Sequence, residues 1–169
     1  LIPVLIVDGF SNHDWKQTTK LTKWMLEESG RFAVDIATVP EDSLLRLDWK
    51  PLFKKYAVVI QNTNNINNHH LRWPRHAELE LESYVKEGGG LYILHSANNS
   101  FPHWVEYDKM IGLGWRPQSF GYALEIDSNR NIVRLPPGEG RSTRHGRRFN
   151  AVIQILNRHP INKNIQTNG

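Results

Sequence analysis

"GGGLYILHSANNSF", residues 88–101, decides the fold. The glycine triplet interrupts whatever precedes it, and Leu91 to Leu94 have the length of a buried strand. That strand stops on His95, Ser96, Ala97, Asn98 and Asn99. In α/β proteins a strand ending this way delivers its polar side chains to a crevice beyond the carboxyl edge of the sheet.

Working outward, the chain reads as alternating strands and helices. "VLIVDG" (4–9), "FAVDIATV" (32–39) and "AVVIQN" (57–62) are short, apolar and rich in β-branched residues, as buried parallel strands are. In "TTKLTKWMLEESG", Leu21, Trp24, Met25 and Glu28 step at helical spacing, with Thr18 or Thr19 as the expected cap and Gly30 past the end. Pro74 opens a second helix that turns Ala77, Leu81, Tyr84 and Val85 inward until the glycines stop it. Such alternation predicts right-handed crossovers and a mainly parallel sheet between helices. Beyond residue 100, "VEYDKMIG" predicts a short helix, "YALEID" and "NIVRL" a β pair, and "AVIQIL" (151–156) a late strand. "NTNNINNHH" (62–70) reads as a polar, mobile loop.

With 169 residues, 39% of them hydrophobic, the chain can bury one proper core, so a single domain over 1–169 is expected. No closing helix follows the last predicted strand, which predicts a domain incomplete at its C-terminal end. Leu1 stands inside an apolar run without a preceding methionine, the pattern left by a cleaved secretory signal or by trimming. No apolar run reaches the roughly 18 residues of a membrane span. With no cysteine, disulfides, thiolate metal sites and a cysteine nucleophile are excluded, and a bacterial-type cytoplasm and a periplasmic or secreted location both stay open.

Net charge is +4, concentrated in Arg130, Arg134, Arg141, Arg144, Arg147, Arg148 and Arg158. A solvated basic stretch and a phosphate or carboxylate site are the two readings. Aromatics at stacking spacing are missing, so nucleic acid is not an expected partner.

Chemistry-bearing residues gather at three predicted strand ends: Asp8 with Ser11 to Trp15, Gln61 to Asn65, and His95 to Asn99. His13, His95, His145 and His159 stand at strand ends or in loops, and imidazoles with Asp8 or Asp14 suit zinc, manganese or iron(II). Their spacing follows no compact ligand motif, and each can equally be an imidazole bonded to backbone. Ser96 invites a nucleophile-elbow reading, but Leu94 and Asn98 replace the glycines of G-x-S-x-G. Asn98 and Asn99 suit hydroxyl-rich ligands, or simply a loop. Trp24 and Trp49 are expected in the core, while Trp15, Trp73, Trp104 and Trp115 either stack on sugar rings or close loops over the core.

Three stretches, "VLIVDGFSNHDWKQTT", "GGGLYILHSANNSFPHWVEYDKMIGLGWR" and "HGRRF…HPI", together resemble the ThuA-like, or trehalose-utilisation, family over most of the chain. The resemblance implies a flavodoxin-like, class I glutamine amidotransferase-like three-layer α/β fold and a tie to carbohydrate metabolism. In amidotransferases of this fold the catalytic cysteine follows the strand matched by "LYILH". His95 takes that position here, or Ser96 if the register slips by one, so glutaminase chemistry is excluded.

Two hypotheses follow. In the first, the chain is a metal-assisted hydrolase or lyase on a sugar or disaccharide derivative. His95, Asp14 and Ser96 are then the catalytic candidates, and His13, His95, His145 and His159 the ligands of a divalent zinc, manganese or iron. Asn12, Trp15, Asn62, Asn98, Asn99 and Trp115 would hold the sugar. In the second it is a non-catalytic carbohydrate-binding or accessory protein that keeps the crevice. A small-molecule sugar is the expected partner in both, with no membrane partner; a homo-oligomer is compatible with either.

Overall fold

Four consecutive buried side chains, Val4, Leu5, Ile6 and Val7, make β1 (Ile2–Asp8) a strand covered on both faces. It lies inside a four-stranded parallel sheet in the order β2-β1-β3-β4, with β2 spanning Phe32–Thr38, β3 Val58–Gln61 and β4 Gly90–Ile93. The computed structural model describes residues 1–150, 152, 153, 155 and 158–163. They form a mixed α/β protein, as the strand–helix alternation predicts.

Two compact units make up the chain, Leu1–Trp115 and Arg116–Gly169. In the first, alternate strand residues face opposite layers. Val4, Ile6, Val34 and Ile60 pack with Leu26 of α1 (Trp15–Glu28). Leu5, Val7 and Val59 pack with Leu81 and Tyr84 of α3 (Arg75–Lys86) and Tyr107 of α4 (Val105–Ile111). The sheet is therefore the middle of three layers, and its strand order is that of a flavodoxin-like sheet. Trp73 and Trp104 belong to the second of these clusters, and Trp49 packs against it, so these three tryptophans are core. A short α2 (Ser43–Leu47), capped by the Asp42 carboxylate, adds a helix to the alternation expected from the sequence.

Glycine is required where β1 ends. Gly9 has φ +134, and a Cβ there would stand 2.5 Å from the Val39 carbonyl oxygen. Gly88, at φ +96, lets the chain leave α3 and turn into β4.

Helix α1 departs from expectation twice. Its cap is Asp14, whose carboxylate accepts from the Gln17 N–H at 3.0 Å; Thr18 lies inside the first turn and Thr19 is buried. Trp24, expected in the core, is 57% exposed, and Leu21 and Met25 are exposed too. The stripe facing the sheet is Trp15, Thr19, Thr22 and Leu26, each buried or half-buried. Two apolar stripes satisfy the helical period here, and the sheet covers only one of them.

In the second unit β5 (Ala123–Ile126) and β6 (Ile132–Leu135) form the predicted antiparallel pair. A Cβ on Gly140 would come within 2.2 Å of the Ala123 Cβ, so the chain passes close over this hairpin. The Arg134 guanidinium lies 3.8 Å from the centre of the Tyr122 ring. All seven arginines of the basic stretch are exposed. Of the predicted strand 151–156, residues 151, 154 and 156 lie outside the described residues, while Val152, Ile153 and Ile155 are in no strand.

Candidate functional site

At the end of β4 the Leu94 N–H still donates to the Gln61 carbonyl, 3.0 Å away, and the chain then enters a 3-10 turn, His95–Asn99. His95 has φ +46. A left-handed conformation costs a side chain with a Cβ about 1–2 kcal/mol, so the surroundings must hold it there. Strand, strained residue and helical turn in succession are the geometry of a nucleophile elbow, and His95 rather than Ser96 occupies the strained position.

What holds the elbow is the run Gln61–Asn65, buried throughout. The Asn64 side-chain amide donates to the Ser96 carbonyl (2.6 Å), and its backbone N–H donates to the Phe10 carbonyl (2.9 Å). Asn65 Oδ1 accepts from the Phe101 N–H (2.9 Å) and steadies a second strained residue, since Phe101 is at φ +53. Gln61 Nε2 donates to the Tyr107 hydroxyl (2.9 Å), which donates onward to the Ala97 carbonyl (2.8 Å). The start of "NTNNINNHH" is thus a buried brace instead of the solvated loop its polarity suggests. Its amides are consumed by backbone groups of other loops, a long-range pairing that composition does not reveal.

The β1–α1 connection supplies the opposite wall. His13 and His95 have ring centres 4.9 Å apart, tilted by 49°. Both are exposed, and among the described residues neither imidazole is hydrogen-bonded to a protein group. Asn12 and Asp14 flank His13 and are exposed, with Asp14 engaged as the helix cap. Trp15 is half-buried and its N–H donates to the His13 carbonyl (2.8 Å). Asn62 is buried, its amide nitrogen reaching the Thr19 hydroxyl (3.0 Å) and the Trp15 carbonyl (3.4 Å). Asp8 is buried at the end of β1 and accepts from the Thr38 hydroxyl (2.7 Å).

On the elbow side Ser96, Asn98 and Asn99 are half-buried, and the Trp115 N–H meets the Asn98 carbonyl at 3.3 Å. Asn99 Oδ1 and Asn65 Nδ2 are buried without a hydrogen-bond partner among the described residues. The structure therefore brings the three polar clusters together and places His13 beside His95.

His145 and His159 belong to the second unit and are exposed. His159 caps the 3-10 turn Pro160–Asn162, its Nδ1 accepting from the Ile161 N–H (3.2 Å). Among the described residues no group of three or more His, Asp or Glu is placed to hold a metal ion. Two imidazoles alone make an incomplete donor set for zinc, manganese or iron. No helix among the described residues is long and apolar enough to cross a membrane.

A parallel sheet in this order, with an elbow after its fourth strand, is the layout of the flavodoxin-like α/β class and is consistent with its glutamine amidotransferase-like members, here with histidine at the elbow. Within that class the family described as ThuA, trehalose utilisation, matches residues 3–168, and the chain belongs to it. A solved ThuA-like protein from Parabacteroides merdae is 29% identical with a TM-score of 0.71; the match covers 79% of this chain and 47% of that one. The chain thus spans about half the length of that relative. Among curated proteins none matches.

Proposed function

We propose that this chain carries the crevice of a carbohydrate-metabolism protein, and that the His13–His95 pair is its reactive centre, acting as a hydrolase or lyase on a sugar or disaccharide derivative. One observation carries the reading: His95 is held at φ +46, its imidazole open and 4.9 Å from a second open imidazole. Strain of this kind is kept where a side chain must be presented in one direction. A neutral imidazole takes a proton from water or from a carbon next to a carbonyl, and its protonated neighbour gives one to the departing oxygen. The unpaired Asn99 oxygen, Asn98 and the half-buried faces of Trp15 and Trp115 would hold sugar hydroxyls and rings. Asp14, already committed to the helix cap, would orient the His13 loop. Glutaminase activity has no thiol to run on.

A divalent metal at this centre would have only the His13 and His95 imidazoles as protein ligands among the described residues, and the acid–base roles of the pair do not depend on it. The test uses trehalose as probe, with metal content measured on protein purified without a histidine tag. The wild-type chain should bind trehalose and release products detectable by NMR, and His95→Ala and His13→Ala should stop release. Trehalose binding without products in any metal-supplemented buffer would favour the second reading, an accessory binding protein. Absence of both binding and products would overturn the crevice itself.

A further inference from the structure

We infer that a second site, separate from the histidine crevice, lies between the start of α3 and the loop entering α4, and that it takes a neutral polyol the size of one sugar ring. The cavity measures about 320 Å³ and is lined by Arg72, Arg75, Glu78, Glu82, His103 and Trp104 among others. Its volume falls at the small end of ligand pockets, which run from about 300 to 1,000 Å³.

Glu78 carries the argument. It is 2% exposed, on the inward face of α3 beside Ala77 and Leu81. Its Oε2 accepts from Arg75 at 3.0 Å. Its Oε1 has no hydrogen-bond partner among the described residues, and the Arg72 guanidinium is 3.8 Å away. A carboxylate oxygen stripped of water and left unbonded costs free energy with no return inside the protein. Here that oxygen belongs to a residue lining a cavity.

The other charged groups are already committed. Glu82 Oε1 accepts from the Trp104 indole N–H (2.7 Å) and from Arg75 (3.2 Å), and Glu106, also at the rim, pairs with Lys109. Three groups remain to meet a ligand: the Glu78 oxygen, the half-exposed Arg72 guanidinium and the His103 imidazole. Burial, and then the positive charge of Arg72 and His69, push the His103 pKa below its ordinary value, so near neutral pH the ring both donates and accepts.

An anionic ligand would face the bare Glu78 oxygen, and a cationic one would face Arg72. A hydroxyl satisfies both, donating to Glu78 while accepting from Arg72, and a neighbouring hydroxyl serves His103. Vicinal hydroxyls on a neutral ring are the chemistry this alternation recognises.

The indole N–H of Trp104 reports on this cavity by NMR, so D-glucose titrated into the full chain tests the inference. The Trp104 signal should shift saturably in the wild type and in His95→Ala. The shift should weaken at least fivefold in Arg72→Ala, which alters a half-exposed side chain, and in Glu78→Gln. Equal shifts in all four proteins, or no saturable shift, would overturn the site. So would saturation by inorganic phosphate or ammonium in place of glucose. If His95→Ala abolishes the response, it belonged to the histidine crevice and this inference fails while the functional proposal stands.

Discussion

The two units of this chain are built on different physics. Every fully buried apolar side chain among the described residues lies between Val4 and Tyr107, inside the first unit. In the hairpin of the second, Leu124, Ile126 and Ile132 are exposed, and the contacts are local: Arg134 on Tyr122, Gly140 against Ala123, and the Asp127 turn. A unit that buries its apolar surface gains a few kcal/mol per large side chain and can hold residues in strained conformations. One that relies on local contacts cannot, and His95 and Phe101 accordingly lie in the first unit. Arg130 of the second is also left-handed, but it sits in an exposed turn where little opposes it.

The sharpest way to break this contrast is Phe101→Ala. Its ring is fully buried among Phe10, Trp73, Trp104 and Tyr107. Truncation should cost about 3–5 kcal/mol in urea unfolding of the first unit. Ile132→Ala, removing a side chain 69% exposed, should cost roughly 0.5 kcal/mol or less. Equal costs would mean that the hairpin buries far more than its exposure indicates.

Tyr107→Phe comes next. It deletes one hydroxyl between Gln61 and the Ala97 carbonyl, an acceptor that keeps the Ser100 N–H at 3.1 Å, and the two lost hydrogen bonds should cost about 1–2 kcal/mol. Because that acceptor lies in the elbow turn, sugar binding should weaken together with stability. A variant that loses stability but binds normally would detach the brace from the crevice.

How far the sequence discloses this molecule follows the same division between short-range and long-range effects. The parallel strands, α3, α4 and the β5–β6 hairpin are legible because burial imposes a period and turn residues mark the ends. His13 and His95 are legible as strand-end residues whose meeting depends only on strand order. Trp24 misleads because helical periodicity does not say which stripe meets the sheet. The Asn62–Asn65 brace is hidden because its partners, Phe10, Thr19, Ser96 and Phe101, are remote in the chain. Glu78 is hidden for a related reason: at helical spacing it reads as a solvated charge, and only the packed structure shows it buried beside Arg75.

Strain at the elbow can be measured separately from chemistry. Glycine populates left-handed backbone freely and alanine does not, so His95→Gly should be more stable than His95→Ala by about 1 kcal/mol. Both variants lack the imidazole, and neither should turn over a sugar. If alanine were the more stable, the left-handed conformation at residue 95 would be refuted, and with it the elbow reading.

The smallest effect expected is in the hairpin turn. The Asp127 carboxylate accepts from the Asn131 N–H, and also from the Asn131 side-chain amide and the Asn129 N–H. These bonds, led by the Asn131 N–H, hold its pKa below the usual carboxylate value. A depressed folded-state pKa means that, as pH falls, the unfolded hairpin takes up the proton first. The support is therefore complete above the ordinary aspartate range and is lost as pH falls through the lowered value. The Asn129 and Asn131 amide resonances should move together over that acid range, and in Asp127→Ala the movement should vanish. Resonances that stay fixed in the wild type down to the acid limit would show that the turn holds without its carboxylate.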